Sequence, residues 1–174
     1  MKISIAYPPL DRPGCPTLGQ NRQFQWFSQP SFIYPMVPAS AATILKRQGH
    51  EVMWDDAIAR NKTSEEFWQH METEKPDVIA IETKTPVVKD HWKIAGRIKD
   101  VLPDTSLVLM GDHVTALPEE TMLSSPCDFV ITGGDYDFSL RSIVQHLQNN
   151  EPLLPGIWYR ENGTITNTGP YAPL

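Results

Sequence analysis

Four short segments of this 174-residue chain carry residue types suited to holding a small molecule: Tyr7-Pro8-Pro9, Glu82-Thr83-Lys84-Thr85, Gly111-Asp112-His113-Val114-Thr115 and Gly133-Gly134-Asp135. Glycines in such loops let a bulky planar ligand or its tail come close to the backbone, and a helix start just beyond them favours an anionic group. His113 is placed to reach such a ligand, or to serve as an ordinary hydrogen-bonded loop histidine. Bond-breaking chemistry is poorly served. Cys15 and Cys127 are too few for a disulfide framework, a four-thiolate zinc site or an iron–sulfur cluster, and Cys15 has no basic neighbour to activate it. The remaining histidines, His50, His70, His91 and His146, fall at helix or strand positions expected to face water.

The four segments follow apolar runs that read as strands. Lys2 to Tyr7 alternates and stops at Pro8-Pro9, which donate no ladder hydrogen bonds. Further strands are expected at Glu51–Trp54, Asp77–Ile81, Ser106–Met110 and Asp128–Thr132, the later ones apolar enough to be buried on both faces. Between them lie helical patterns. The first starts at Pro38 and ends on Lys46-Arg47 and Gly49; the second opens with the capping box Thr63-Ser64-Glu65-Glu66. A third carries Val88, Trp92, Ala95, Ile98 and Leu102, a short one opens at Pro118, and a last one carries Phe138, Leu140, Ile143, Val144 and Leu147. Five βα units in succession predict an α/β fold: a doubly wound, parallel, five-stranded sheet of flavodoxin-like type. Ligands of such sheets sit at the carboxyl ends of the strands, where all four segments fall. After Pro155 the pattern becomes a C-terminal β-hairpin turning on Asn162-Gly163, and Gly169 to Leu174 reads as a linker. The expected division is therefore residues 1–150 as the α/β domain and 151–174 as hairpin and linker.

Composition narrows the classes. Net charge is −6 with no run of Lys or Arg, which argues against nucleic acid as a partner. No apolar run approaches the roughly 18 residues of a membrane span, and a cytoplasmic location is expected. Seven of the 16 prolines fall between Pro8 and Pro38, marking a long ordered loop whose Trp26, Phe27, Phe32 and Tyr34 either anchor it to the sheet or present rings to a ligand or partner. The turn after the first strand lacks the Gly-x-Gly-x-x-Gly of a dinucleotide site, a P-loop, and the Ser, Thr and Gly of a flavodoxin phosphate loop.

Taken in order, these segments resemble a known family. Tyr7-Pro8-Pro9, Pro38 with Ala42 and Leu45, Gly49-His50-Glu51-Val52, Pro76 to Ile81, Gly111 to Glu120, Gly133-Gly134-Asp135 and Pro155 to Gly163 are similar to the N-terminal cobalamin-binding domain of B12-dependent radical SAM enzymes. The resemblance implies a module holding vitamin B12, cobalamin, with its benzimidazole tail in the carboxyl edge of the sheet. Tyr7, Pro8, Pro9, Thr83, Thr85, Gly111, Asp112, His113, Thr115, Gly133, Gly134 and Asp135 are the implied contacts. The Asp-x-His-x-x-Gly turn that supplies a histidine to cobalt is absent, so the implied cofactor state is base-off and histidine-off. The 4Fe-4S cluster, S-adenosylmethionine and methyltransferase chemistry are implied only for a C-terminal radical SAM domain beyond the linker. The family commonly has two glycines where this chain has Gly111-Asp112, and Asp112 is expected to crowd or repel the nucleotide phosphate. Two rivals stay open: a docking domain that keeps the fold without the cofactor, and a small flavodoxin-like flavin or nucleotide binder.

Overall fold

The computed structural model describes residues 1–19, 24–29 and 31–173. The strands are β1 (Lys2–Tyr7), β2 (Cys15–Pro16), β3 (Trp26–Phe27), β4 (Glu51–Asp56), β5 (Val78–Glu82), β6 (Ser106–Met110), β7 (Phe129–Ile131), β8 (Ile157–Glu161) and β9 (Thr164–Asn167). The helices are α1 (Met36–Arg47), α2 (Ser64–Glu74), α3 (Val88–Val101), α4 (Asp112–Ala116), α5 (Pro118–Ser124) and α6 (Tyr136–Asn149). The main sheet runs β4-β1-β5-β6-β7-β8-β9, with the first four neighbouring pairs parallel. The order of the parallel strands is the flavodoxin one, and it reverses between β1 and β5. The sheet is larger than expected. The C-terminal hairpin does not stand apart but pairs antiparallel with β7 through Ile131↔Ile157 and Phe129↔Tyr159, giving seven strands. β7 would otherwise be an open edge with unpaired backbone groups.

The apolar strands are buried on both sides because each supplies two cores. Ile3, Ile5, Val78, Ala80, Val108 and Ile131 pack with Leu45 of α1 and Leu140, Ile143 and Val144 of α6. Their alternates Ala6, Ile79, Ile81, Leu107, Leu109 and Val130 pack with Phe67 and Met71 of α2 and Ala95 and Ile98 of α3. Each fully buried Val, Leu, Ile, Phe or Met among them contributes on the order of 1.5–3 kcal/mol of transfer free energy.

Local signals behave as the residues dictate. Thr63 accepts from the backbone N–H of Glu66, whose side chain returns the bond to the Thr63 N–H. Asn162 and Gly163 both adopt positive φ, 50° and 80°, as a tight hairpin turn requires. α1 begins two residues before Pro38, at Met36. The first four N–H groups of a helix have no partner within it, so proline costs nothing there. The segment after Gly111, expected to be loop, forms the short helix α4. In the proline-rich loop, Trp26 packs under the Arg12 guanidinium at 4.0 Å and donates to Pro13 O, so this aromatic anchors the loop. Tyr34 stacks on Trp54 while remaining 71% exposed. Among the described residues no helix is long and apolar enough to cross a membrane.

Candidate functional site

The strand-order reversal brings together the ends of β1 and β5, and there Tyr7 donates a 2.6 Å hydrogen bond to Glu82 Oε2. Both residues are buried. Burial, reinforced by the Glu82 charge, holds the Tyr7 phenol well above its ordinary value, so it is a proton donor at any physiological pH.

Immediately beyond Glu82, the next three residues are each fixed by a partner on α3 or α4. Thr83 shares a 2.6 Å hydrogen bond with His91 Nδ1 of α3. Lys84 donates to Asp112 Oδ2 at 2.5 Å, its side chain only 4% exposed while that of Asp112 is 58% exposed. Thr85 shares a 3.1 Å hydrogen bond with His113 Nδ1 of α4. The backbone is locked as well: Thr83 N donates to Met110 O at 2.8 Å, and a side chain at Gly111 would sit 2.1 Å from Thr83 O. Gly111 has φ of 125°, a conformation open to glycine and little else.

Two sequence expectations change here. His91 does not face water: it is fully buried, and burial lowers its pKa to about 4, leaving a neutral ring. Asp112 is not a lone carboxylate set to repel a ligand, because its charge is neutralised by Lys84. His113 is also more enclosed than a surface loop histidine. It is 6% exposed, its Nε2 makes no hydrogen bond among the described residues and lies 3.9 Å from Glu120 Oε2.

The other expected residues form a second group. Thr115 reaches Gly133 O at 3.5 Å, linking α4 to the loop after β7. In front of Gly133 stands the ring of Tyr171, so close that a Cβ on Gly133 would lie 2.3 Å from it. The Tyr171 hydroxyl donates to Asp135 Oδ2 at 2.5 Å, and the Gly134 backbone N–H donates to the same phenol oxygen. The C-terminal segment expected to be a linker is thus folded back onto the sheet edge, with Gly156 N bonded to Gly169 O. An open cavity of about 440 Å³ lies beside it, lined by Thr115, Thr132, Gly133, Trp158 and Tyr171 among others. Pro8 and Pro9 point elsewhere, lining a cleft of about 440 Å³ between α2 and α3 with Arg12, Trp68 and Arg97.

Sequence reasoning gave no role to His91 or Tyr171, and named Lys84 only as part of the segment after the third strand. A signal existed for His91, which falls on the same helical stripe as Val88, Ala95 and Ile98. For Tyr171 there was none, since nothing local in a Gly-Pro-rich tail says where it lands.

These residues meet several demands of a ligand of cobalamin's kind: glycines at two strand exits, hydroxyls on a fixed loop, and a buried cation. The loop from Pro8 to Gly14 holds no histidine to offer a metal. Both histidines of the cluster already spend Nδ1 on a threonine.

Comparison with known proteins places this arrangement. Over 126 residues the chain is 28% identical to PH0819 of Pyrococcus horikoshii, an uncharacterized methyltransferase, covering 71% of this chain and 28% of that protein. Its fold matches that of the radical S-adenosylmethionine methyltransferase TsrM from Kitasatospora setae, solved with cobalamin and a [4Fe-4S] cluster bound. The TM-score is 0.69 at 13% identity, over 98% of this chain and 29% of TsrM. It also matches the cobalamin-dependent S-adenosylmethionine radical enzyme OxsB, solved with aqua-cobalamin and S-adenosylmethionine. There the TM-score is 0.73 at 16% identity, over 99% of this chain and 22% of OxsB. The chain therefore spans less than a third of the length of each of these relatives. The B12 binding domain model matches residues 31–137, more than half of the chain and all but the first and last parts of the site. On that match, this chain belongs to the B12-binding domain family.

Proposed function

We propose that this chain holds cobalamin at the carboxyl edge of its sheet and presents it to a radical SAM catalytic portion for methyl transfer. The observation that carries this reading is the family match across α1 to the loop after β7, on a sheet whose strand order reverses beside the cluster. When bound, cobalamin supplies a cobalt centre able to carry a methyl group. The chain's own residues hold and exclude. Thr83 and Thr85 are set by His91 and His113 so that the β5 loop needs no rearrangement to receive a ligand tail. Gly111 lets the loop after β6 pack tightly on Thr83, and Gly133 lies under the Tyr171 ring at the neighbouring strand exit. Asp112, Thr115 and Asp135 complete the rim.

Cobalamin held by these residues would be base-off and histidine-off. A tail lodged in the sheet edge would keep the benzimidazole from the metal, and neither His91 nor His113 is placed as a substitute. His91 is sealed in the α3 core and His113 is enclosed between Thr85 and Glu120. The 4Fe-4S cluster and S-adenosylmethionine belong to the catalytic portion, since Cys15 and Cys127 do not form a cluster motif. Cys127 is buried, with its thiol pushed up to about 11 by burial.

Mixing the purified chain with hydroxocobalamin and desalting it tests the reading. Retention of a corrin absorption band is expected; a colourless protein, or one that instead retains added flavin, would overturn it. Paramagnetic resonance of the bound, reduced cobalt should show no nitrogen splitting, and His113→Ala should leave the spectrum unchanged. Splitting that disappears in that variant would assign His113 as a cobalt ligand and refute the histidine-off state.

A further inference from the structure

We infer that Lys84 is the anion-binding group of the site, and that Asp112 is a displaceable counter-ion occupying the place a ligand phosphate takes. The inference rests on the cobalamin reading above and deepens it. Cobalamin carries its one phosphodiester in the nucleotide loop, while the substituents around the corrin are neutral amides.

The asymmetry of the pair is the argument. The Lys84 side chain is 4% exposed, and a lysine that buried requires a counter-charge. Asp112 is 58% exposed and has no such requirement, because water solvates a free carboxylate at that position well. Taking Asp112 away from Lys84 is therefore inexpensive for Asp112, provided another anion arrives to satisfy Lys84. The exchange is counter-ion for counter-ion, and no charge is left buried alone at its end.

Position supports the same conclusion. Lys84 stands between Thr83 and Thr85, the two hydroxyl residues of the loop after β5, and both neighbours are fixed by histidines. The ammonium is thus aimed by a rigid loop toward the start of α4. Asp112 follows Gly111, whose missing side chain lets the start of α4 close onto the Thr83 carbonyl, bringing Asp112 up to the β5 loop. A phosphate arriving there meets a cation already aimed and partly stripped of water, where a charge-assisted hydrogen bond is strongest.

A coupling cycle on the full 174-residue chain decides this, with hydroxocobalamin and cobinamide, which lacks the nucleotide and its phosphate, as ligands. Asp112→Asn keeps an acceptor for Lys84 but removes the competing charge, and should tighten cobalamin binding at least threefold at low salt, less at high salt. Lys84→Met keeps the buried stem and should weaken cobalamin at least tenfold. In the Lys84→Met background, Asp112→Asn should no longer tighten binding. Cobinamide affinity should change by less than twofold in all three variants. Asp112→Asn lies at an exposed position, so it reports even if Lys84→Met folds poorly.

Two failures differ. A parent chain that retains cobalamin while Asp112→Asn binds equally or more weakly overturns the role of Lys84 and Asp112 alone. So does an equal response of cobalamin and cobinamide. A parent chain that retains no corrinoid overturns the cobalamin reading, and this inference with it.

Discussion

The loops after β5 and β6 and the loop after β7 both carry a glycine at the strand exit, yet they are held in opposite ways. Thr83, Lys84 and Thr85 are each tied to another element, and Gly111 lies against backbone. Gly133 lies against a side chain, the Tyr171 ring, which arrives from the far end of the sequence and is kept there by Asp135. Backbone held in register by a sheet has nowhere to go, whereas an aromatic side chain can change rotamer. The first region is a preformed wall; the second is covered by a side chain. The same residue type thus answers two different constraints, and substitutions should separate them.

Gly111→Ala should have the largest effect. It places a side chain at positive φ, costing roughly 1–2 kcal/mol, and drives it into the Thr83 carbonyl, so a total of about 3 kcal/mol or more is expected. Urea unfolding measures it, and a loss below about 1 kcal/mol would show that the wall yields.

His91 gives that wall a pH dependence. Its pKa in the folded chain is about 4, below the ordinary 6.5. As pH falls through 6.5 the unfolded chain takes up a proton that the folded chain refuses until about pH 4. The stability owed to neutral His91 is therefore complete above pH 6.5 and is lost between 6.5 and 4, by up to about 3 kcal/mol at 1.36 kcal/mol per pKa unit. His91→Asn retains an amide for Thr83 without a titrating ring, and should flatten the stability profile in that window. An unchanged slope would assign the acid sensitivity to other groups.

How far the sequence revealed each region follows from the range of the interactions. Strands such as Val78–Glu82 were legible because a two-sided sheet demands a continuous apolar run, a local signal. The capping box and the Asn162-Gly163 turn are local too. The ties of the wall join residues 8 and 28 positions apart, and only the fold says which Asp finds Lys84. Its glycines and threonines were visible as types; their partners were not. Tyr171 lies 36 residues from Asp135 with a hairpin between them, so its place depends on β8 and β9 first joining the sheet. Lys84 shows the limit best: nothing local in a lysine between two threonines says that it is buried and paired with Asp112.

At the covered region, Gly133→Ala should cost about 2 kcal/mol, from φ of 85° and the collision with Tyr171. In a Tyr171→Ala background the collision disappears and only the backbone part remains, so the two changes should couple by about 1 kcal/mol. Strict additivity would mean that Tyr171 already stands aside in solution.

Tyr171→Phe should have the smallest effect. It keeps the ring over Gly133 and removes only the bond to Asp135. Hydrogen bonds to a charged group contribute roughly 1.5–3 kcal/mol when buried, and partial solvation here should reduce that to about 1 kcal/mol or less. The Asp135 bond raises the phenol's pKa, so this contribution is present below the ordinary tyrosine value and is lost as pH rises through the raised one. Comparing Tyr171→Phe with Tyr171→Ala then separates cover from latch. If the ring screens the strand exit, cobalamin should associate faster with the alanine variant than with the parent, with the phenylalanine variant between them. Equal rates in all three would show that the ligand reaches the preformed wall without passing Tyr171.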